Sequence, residues 1–351
     1  MTGKTRLEKN MVVLVLSLLA LATAICAEAR DIVDMKGRRV SVPARIGKVY
    51  CASPPTSNLL YALDPSLLAG WNYPLKDEDK LFMNRKALSL PVIGGWFGQG
   101  QSANLETLMK VSPDLILMSQ WKVGDTSATA EKVLKRLHKP MVYIKVFELA
   151  DYPSTCLFLG RLLERNKRAE ELAKYANQAL EEVKRVIGSI PASKKVGVYY
   201  AEGTDGLSTE CGRSFHAELI NLAGGRNVHL CSLKDSPDHD MEKVTMEQVL
   251  LYNPEVMIVR DRVFYRKVFS DARWKNIRAV RGGRVYLTPK APFGWFDRPP
   301  SFMRLLGLKW LTSLLYPDRY RIDMVKETKC FYRLFLQVDL SDDQIKKIMN
   351  L

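Results

Sequence analysis

Two stretches of this chain follow one local grammar. Asn104 to Leu117 and Thr245 to Ile258 each run through a capping residue, a glutamate two positions on (Glu106, Glu247), a short helix, a proline (Pro113, Pro254), an acidic residue and an apolar strand, all at matching offsets. Asn and Thr side chains at such a start accept hydrogen bonds from the first free amides of a helix, and proline stops its continuation. A helix feeding directly into an apolar strand is the unit from which largely parallel sheets are assembled. Its recurrence predicts two similar α/β lobes.

The copies flank a helical stretch from Asp151 to Gly188. Asp151 caps its start and Pro153 sits in the first turn, where a missing N–H costs nothing. Leu172, Ala176, Leu180, Val183 and Ile187 line one face, and Arg168, Glu171, Lys174 and Glu182 belong to a charged opposite face. Gly188 and Pro191 end it. Read as one helix of some 36 residues, it spans roughly 54 Å, enough to reach from one lobe to another. The expected organisation is a lobe over 30–150, a linking helix over 151–190, and a second lobe with a helical tail over 191–351. The fold class is thus α/β, with two Rossmann-like lobes of mainly parallel sheets joined by one long α-helix.

In lobe one, strands are expected over 48–52, 67–71, 91–94, 115–118 and 141–146. In lobe two they are expected over 195–200, 256–260 and 284–287. The loop from Pro289 to Pro300 then leads into a helix that Ser301 starts, and Ser341 to Gln344 forms a capping box before a final helix.

Lys4, Arg6 and Lys9 precede an apolar run from Met11 to Ile25, followed by Ala27-Glu28-Ala29. A basic start, a short apolar stretch and a small-x-small site read as a cleavable signal peptide over 1–29. Lipidation at Cys26 is the competing reading, disfavoured by Ile25 where a small residue is wanted. Periplasmic export follows. Without residues 1–29 the chain carries 50 basic and 36 acidic residues, a net charge of +14. For an exported protein that balance points to a small anionic ligand or an anionic surface and not to nucleic acid. Of the five remaining cysteines, Cys211 and Cys231 lie in one region and are candidates for a disulfide. Most of the cysteines read as small buried hydrophobes.

Enzymatic chemistry finds little support. Gly-x-Ser-x-Gly is absent, no histidine sits near a candidate serine, and no carboxylate pair is evident from spacing. His138, His216, His229 and His239 are scattered, without metal-ligand spacing. No direct metal site is expected; Tyr265 is the only candidate ligand to iron held in a chelate.

The order of these motifs, above all Asn104–Leu117, Gly212–Val228 and Trp274–Leu287, resembles the periplasmic binding proteins that serve iron-chelate and vitamin B12 importers of the ABC class. The resemblance covers nearly all of the chain after residue 29. It implies two α/β lobes joined by a rigid helix, a ligand held in the cleft between them, and delivery to a permease in the inner membrane. In such folds ligands lie beyond the carboxyl ends of the strands. That rule selects Ser53, Pro54, Tyr73, Trp96, Phe97, Gln99 and Trp121 in lobe one. In lobe two it selects Glu202, Arg260, Arg262, Tyr265, Trp295, Asp297 and Arg298. Aromatics beside arginines suit a planar or catecholate-like anion, through stacking and forked hydrogen bonds; alternatively the aromatics seal the lobe interface. Asp297 and Arg298 either pair with each other, or Arg298 faces the cleft and Asp297 orients it. The glycines of Gly94 to Gly100 either let backbone approach a ligand or form a plain turn. The family docks on its permease through a glutamate on each lobe. Glu218 matches in lobe two, whereas Asn58 stands at the lobe-one position, a departure that weakens the docking expectation there.

The expected function is therefore a monomeric receptor that captures an iron complex, a siderophore-like metal chelate, as its transported ligand, with no covalently bound cofactor. A molybdate or tungstate oxyanion and a cobalt corrinoid are the alternatives.

Overall fold

The computed structural model of the chain describes residues 29–96, 103–119, 125–231 and 241–351. A hairpin of β1 (Ala29–Val33) and β2 (Arg39–Pro43) opens lobe one. Three parallel strands follow in spatial order β3 (Val49–Cys51), β4 (Leu115–Ser119), β5 (Met141–Ile144). Helix α1 (Pro54–Leu63) connects out of β3, and α2 (Leu105–Val111) leads into β4. The strands expected over 67–71 and 91–94 shrink to single bridges, Val49 with Leu68 and Trp71 with Val92. Pro91 has no N–H to extend that ladder.

Lobe two carries a four-stranded parallel sheet. Its strands, in chain order, are β6 (Gly197–Ala201), β8 (Arg226–Asn227), β10 (Val256–Val259) and β11 (Val285–Leu287), arranged β11-β10-β6-β8. A small antiparallel pair, β7 (Ser208–Thr209) with β9 (Glu242–Lys243), sits beside it. The repeated grammar is realised in both lobes. Asn104 accepts from the Thr107 amide at 3.0 Å, and Thr245 accepts from the Gln248 amide at 3.2 Å, starting α2 and α6 (Met246–Tyr252). Both helices end on a left-handed residue, Ser112 and Asn253, just before their prolines.

The linking stretch differs from the single helix expected. It divides into α3 (Tyr152–Leu162) and α4 (Asn166–Ile187). Glu164 adopts φ +56°, and the Arg165 amide reaches back to the Gly160 carbonyl at 2.8 Å, which is the hydrogen-bond pattern of a Schellman stop. The chain then reverses, so α3 packs on α4. A Cβ at Gly160 would lie 2.4 Å from the Ala169 Cβ. The long helix is thus α4 alone, 22 residues or roughly 33 Å, with Leu172, Ala176 and Val183 buried as the periodicity requires.

Helix α5 (Glu218–Leu222) and the long helix α7 (Arg304–Leu315) close lobe two on the linking side. The tail, α8 (Met324–Phe331), one π turn (Tyr332–Leu336) and α9 (Asp342–Ile348), does not stay with lobe two. Tyr61 of α1 donates to the Leu336 carbonyl at 2.9 Å, Arg168 of α4 donates to Leu334, and Tyr175 packs edge-on to Phe331 and Phe335. One apolar core therefore runs through both lobes. Cys211 and Cys231 are disulfide-bonded; Cys51 and Cys156 are buried thiols, whereas Cys330 is exposed. Among the described residues no helix is long and apolar enough to cross a membrane.

Two outcomes are expected. A Cβ at Gly307 of α7 would fall 1.8 Å from the Trp295 carbonyl oxygen. Gly307→Ala should therefore cost about 1–3 kcal/mol, the usual penalty of overpacking, in urea unfolding. An unchanged midpoint would contradict this packing. Glu164→Gly should instead stabilise by about 1 kcal/mol, by removing a side chain from the left-handed region. A lower midpoint would show that residues 152–187 do not turn there.

Candidate solute-binding cleft

All strands of each main sheet are parallel, so their carboxyl ends form one edge per lobe, and the loops leaving those edges meet. Phe293, in the loop after β11, packs 6.4 Å from the Tyr61 ring and 6.3 Å from the Trp71 ring of lobe one. Nearby, Lys290 of the same loop lies in the field of Lys76, Glu78 and Asp79 of lobe one and of Arg260, the residue after β10. Burial, and then the like charges of Lys76 and Arg260, lower the Lys290 pKa, and the two acids only partly offset them. Lys76, Lys290 and Arg260, all exposed, thus share one electrostatic neighbourhood with Glu78 and Asp79 between the lobes.

On the lobe-one rim, Ser53 sits at the start of α1 with its Oγ 3.1 Å from the Ser119 Oγ at the end of β4. Pro54 and Pro55 occupy the first turn, so two amides that a helix start would offer an anion are missing. Tyr73 is 38% exposed; desolvation by its surroundings, followed by the Asp79 carboxylate, raises its phenol pKa. Trp96 is half-buried, its amide bonded to the Ala52 carbonyl at 2.7 Å. Gly94 takes φ +77°, and a Cβ on Gly95 would meet the Asn72 Nδ2 at 2.6 Å. These two glycines form a turn packed on Asn72. Phe97, Gln99 and Trp121 lie outside the described residues.

On the lobe-two side the arginines divide. Arg260 is exposed, with its guanidinium 3.7 Å from Glu202. Arg262 is also exposed and donates to Asn350 of the tail at 3.2 Å. Arg298 is committed to protein. It holds Glu202 at 3.1 Å and pairs with Glu210, and Asp297 lies 3.5 Å away. Asp297 is gripped by His216 Nδ1 at 2.6 Å, and Glu210 accepts from the Ser214 hydroxyl at 2.8 Å. Burial pushes both Glu202 and Glu210 up to about 7, against the pull of Arg298 and, for Glu210, of His216. The same carboxylates raise the guanidinium pKa despite its desolvation. Three carboxylates crowd this one largely buried guanidinium, with Arg260 and His216 at the edges of the group, and burial favours the protonated forms of Glu202 and Glu210.

Trp295 is fully buried, as are Phe293 and Phe296. The expectation that Trp295 stacks on a ligand gives way to the sealing alternative. It packs inside the interlobe core, its indole within 3.4 Å of the Tyr332 hydroxyl. Tyr265 is half-buried and makes an edge contact with Phe269 at 5.9 Å. Among the described residues no group of three or more His, Cys, Asp or Glu is arranged to hold a metal ion.

The two docking residues are placed elsewhere than expected. Asn58 is 1% exposed, because every residue of α1 is buried. Glu218 accepts from the Leu149 amide at 3.2 Å and pairs with Arg304, so it ties lobe two to the end of lobe one. Asn58 is enclosed, its Nδ2 without a hydrogen-bond partner among the described residues, whereas Glu218 is engaged by the fold. Lys76, Lys290, Glu210 and His216 joined the picture only through the structure. Lys290, three residues past β11, obeys the strand-end rule and was legible; Lys76 and Glu210 carry no local signal.

A sequence profile described as "Periplasmic binding protein" matches residues 61–292. An ABC transporter solute-binding protein from Sulfurospirillum deleyianum is 38% identical, with TM-score 0.85, over 92% of this chain and 99% of that one. The molybdate-binding protein MolA of Haemophilus influenzae is 24% identical over 345 residues, 90% of this chain and 93% of its own length. A vitamin B12-binding protein of Vibrio parahaemolyticus is 26% identical over 204 residues, 57% of this chain and 67% of its own. These relatives bind solutes and are not enzymes. The chain belongs to the periplasmic binding protein family, the solute-binding components of ABC importers.

Proposed function

We propose that the chain is an exported receptor for a compact anion of the molybdate and tungstate class, which it delivers to an inner-membrane permease. The convergence of Lys76, Arg260 and Lys290 across the cleft carries this reading. Cations that share one neighbourhood repel one another, and an anion between them relieves that repulsion. Of the loop aromatics on which the case for a large planar ligand rested, Trp295 is committed to the core. Full-length similarity to a molybdate-binding protein agrees with the smaller ligand.

A siderophore-like metal chelate is the second reading, favoured by Tyr73, whose ring remains 38% exposed on the rim. On either reading the ligand leaves chemically unchanged. Capture works by differential affinity, with lobes and loops settling around the solute and the permease releasing it. The receptor acts as a monomer, and residues 1–29 serve as its export signal.

Tryptophan fluorescence separates the two ligands. Molybdate and tungstate should each give a saturable change, whereas a ferric catecholate and cobalamin should not. A response to the chelate alone would overturn the compact-anion reading. Lys76→Gln and Lys290→Gln should each weaken molybdate binding roughly tenfold, as expected for loss of one charge-assisted contact. Unchanged affinity in both would remove these lysines from the site.

A further inference from the structure

Glu202 stands at the carboxyl end of β6 with its side chain wholly buried. Its Oε1 accepts from Arg298 at 3.1 Å and lies 3.7 Å from Arg260, while its buried Oε2 has no hydrogen-bond partner among the described residues. Charged and titratable groups face it from each surrounding segment. Arg260 comes from the end of β10, Asp297 and Arg298 from the loop after β11, Glu210 from the residue after β7, and Tyr200 from its own strand. His216 stands behind Asp297. Of the two guanidiniums on Glu202, Arg298 is shared with Glu210 and Asp297, and only Arg260 is exposed to the cleft.

We infer that Glu202 is a built-in counter-anion for Arg260: an incoming anion takes over that guanidinium, and Glu202 binds one proton from solvent in exchange. The inference rests on the compact-anion reading above. The charge balance follows from the geometry. Once Arg260 turns to a ligand, Glu202 keeps only a fraction of one shared cation, in a site without water contact, and a new negative charge stands nearby. A buried carboxylate in that position is cheaper neutral than ionised. Burial already raises its proton affinity in the unliganded protein, which favours the transfer. The sign follows. At pH well above neutrality Glu202 is ionised before binding and must gain a proton, so affinity falls as pH rises. Well below neutrality it is already protonated, and affinity is flat. Competition for Arg260 also discriminates against ligands too weakly charged to displace a carboxylate.

The test is calorimetric titration of the full chain with sodium molybdate in two buffers of different ionisation heat, at about pH 6 and about pH 8, with E202Q in parallel. Gln matches the protonated acid in shape. A protein-free titration corrects for molybdate's own protonation. Wild type should take up close to one proton per anion at the higher pH and little at the lower. Its Kd should weaken by up to about tenfold per pH unit above neutrality. E202Q should bind more tightly at the higher pH, with neither uptake nor pH dependence. Binding without proton uptake in wild type overturns the coupling alone. Uptake that persists in E202Q assigns the proton to Glu210 or His216 and also overturns it. No binding of molybdate by either protein at either pH sinks the anion reading and the coupling together. If E202Q fails to fold, the two-buffer heats of wild type decide.

Discussion

The architecture depends on one buried cation. Arg304 of α7 is fully inaccessible to water, and its guanidinium donates to the Phe147 carbonyl at 2.6 Å and the Phe215 carbonyl at 3.1 Å while pairing with Glu218. Glu218 in turn accepts from the Leu149 amide. Five positions from three segments are thereby fixed where lobe one runs out and lobe two packs back against it. The buried Nε of Arg304 has no hydrogen-bond partner among the described residues, so the contacts the guanidinium does make carry the whole cost of holding this charge away from water. The Phe147 and Phe215 rings, 5.3 Å apart, shield the same point.

From that junction the cleft inherits its shape. Helix α4 runs behind both lobes, and Lys309 of α7 is pinned between Glu182 of α4 and Glu327 of α8, each at 2.9 Å. The loop after β11 is anchored by Phe293, Trp295 and Phe296 in the core, and so it presents Lys290 and Arg298 from a rigid base. Ligand capture on such a frame relies on side chains and small loop adjustments more than on wide lobe closure.

Much of the fold was legible because it rests on local chemistry. The caps Asn104 and Thr245, the prolines behind them and the apolar strands they feed all appear where periodicity and capping place them. The break at Glu164 was not legible. Stops of this kind usually announce themselves with glycine, and here glutamate takes the left-handed position while the apolar spacing continues into α4. The site was legible by position more than by role. Strand ends located Arg260, Glu202 and Arg298, but only three-dimensional neighbours decide that Arg298 serves Glu202 and Glu210 while Arg260 remains available. Likewise nothing in the sequence around Asn58 tells that a segment nearly three hundred residues later will cover its helix.

That covering segment has a consequence for how the chain matures. Helix α1 is buried partly by the turn at Tyr332–Leu336, made more than two hundred residues later, since the Tyr61 hydroxyl and the Leu336 carbonyl are 275 positions apart. Lobe one therefore emerges from synthesis with an unfinished apolar surface, which that later turn completes. The order of synthesis thus leaves the surface of the first lobe open until residues 332–336 have been made.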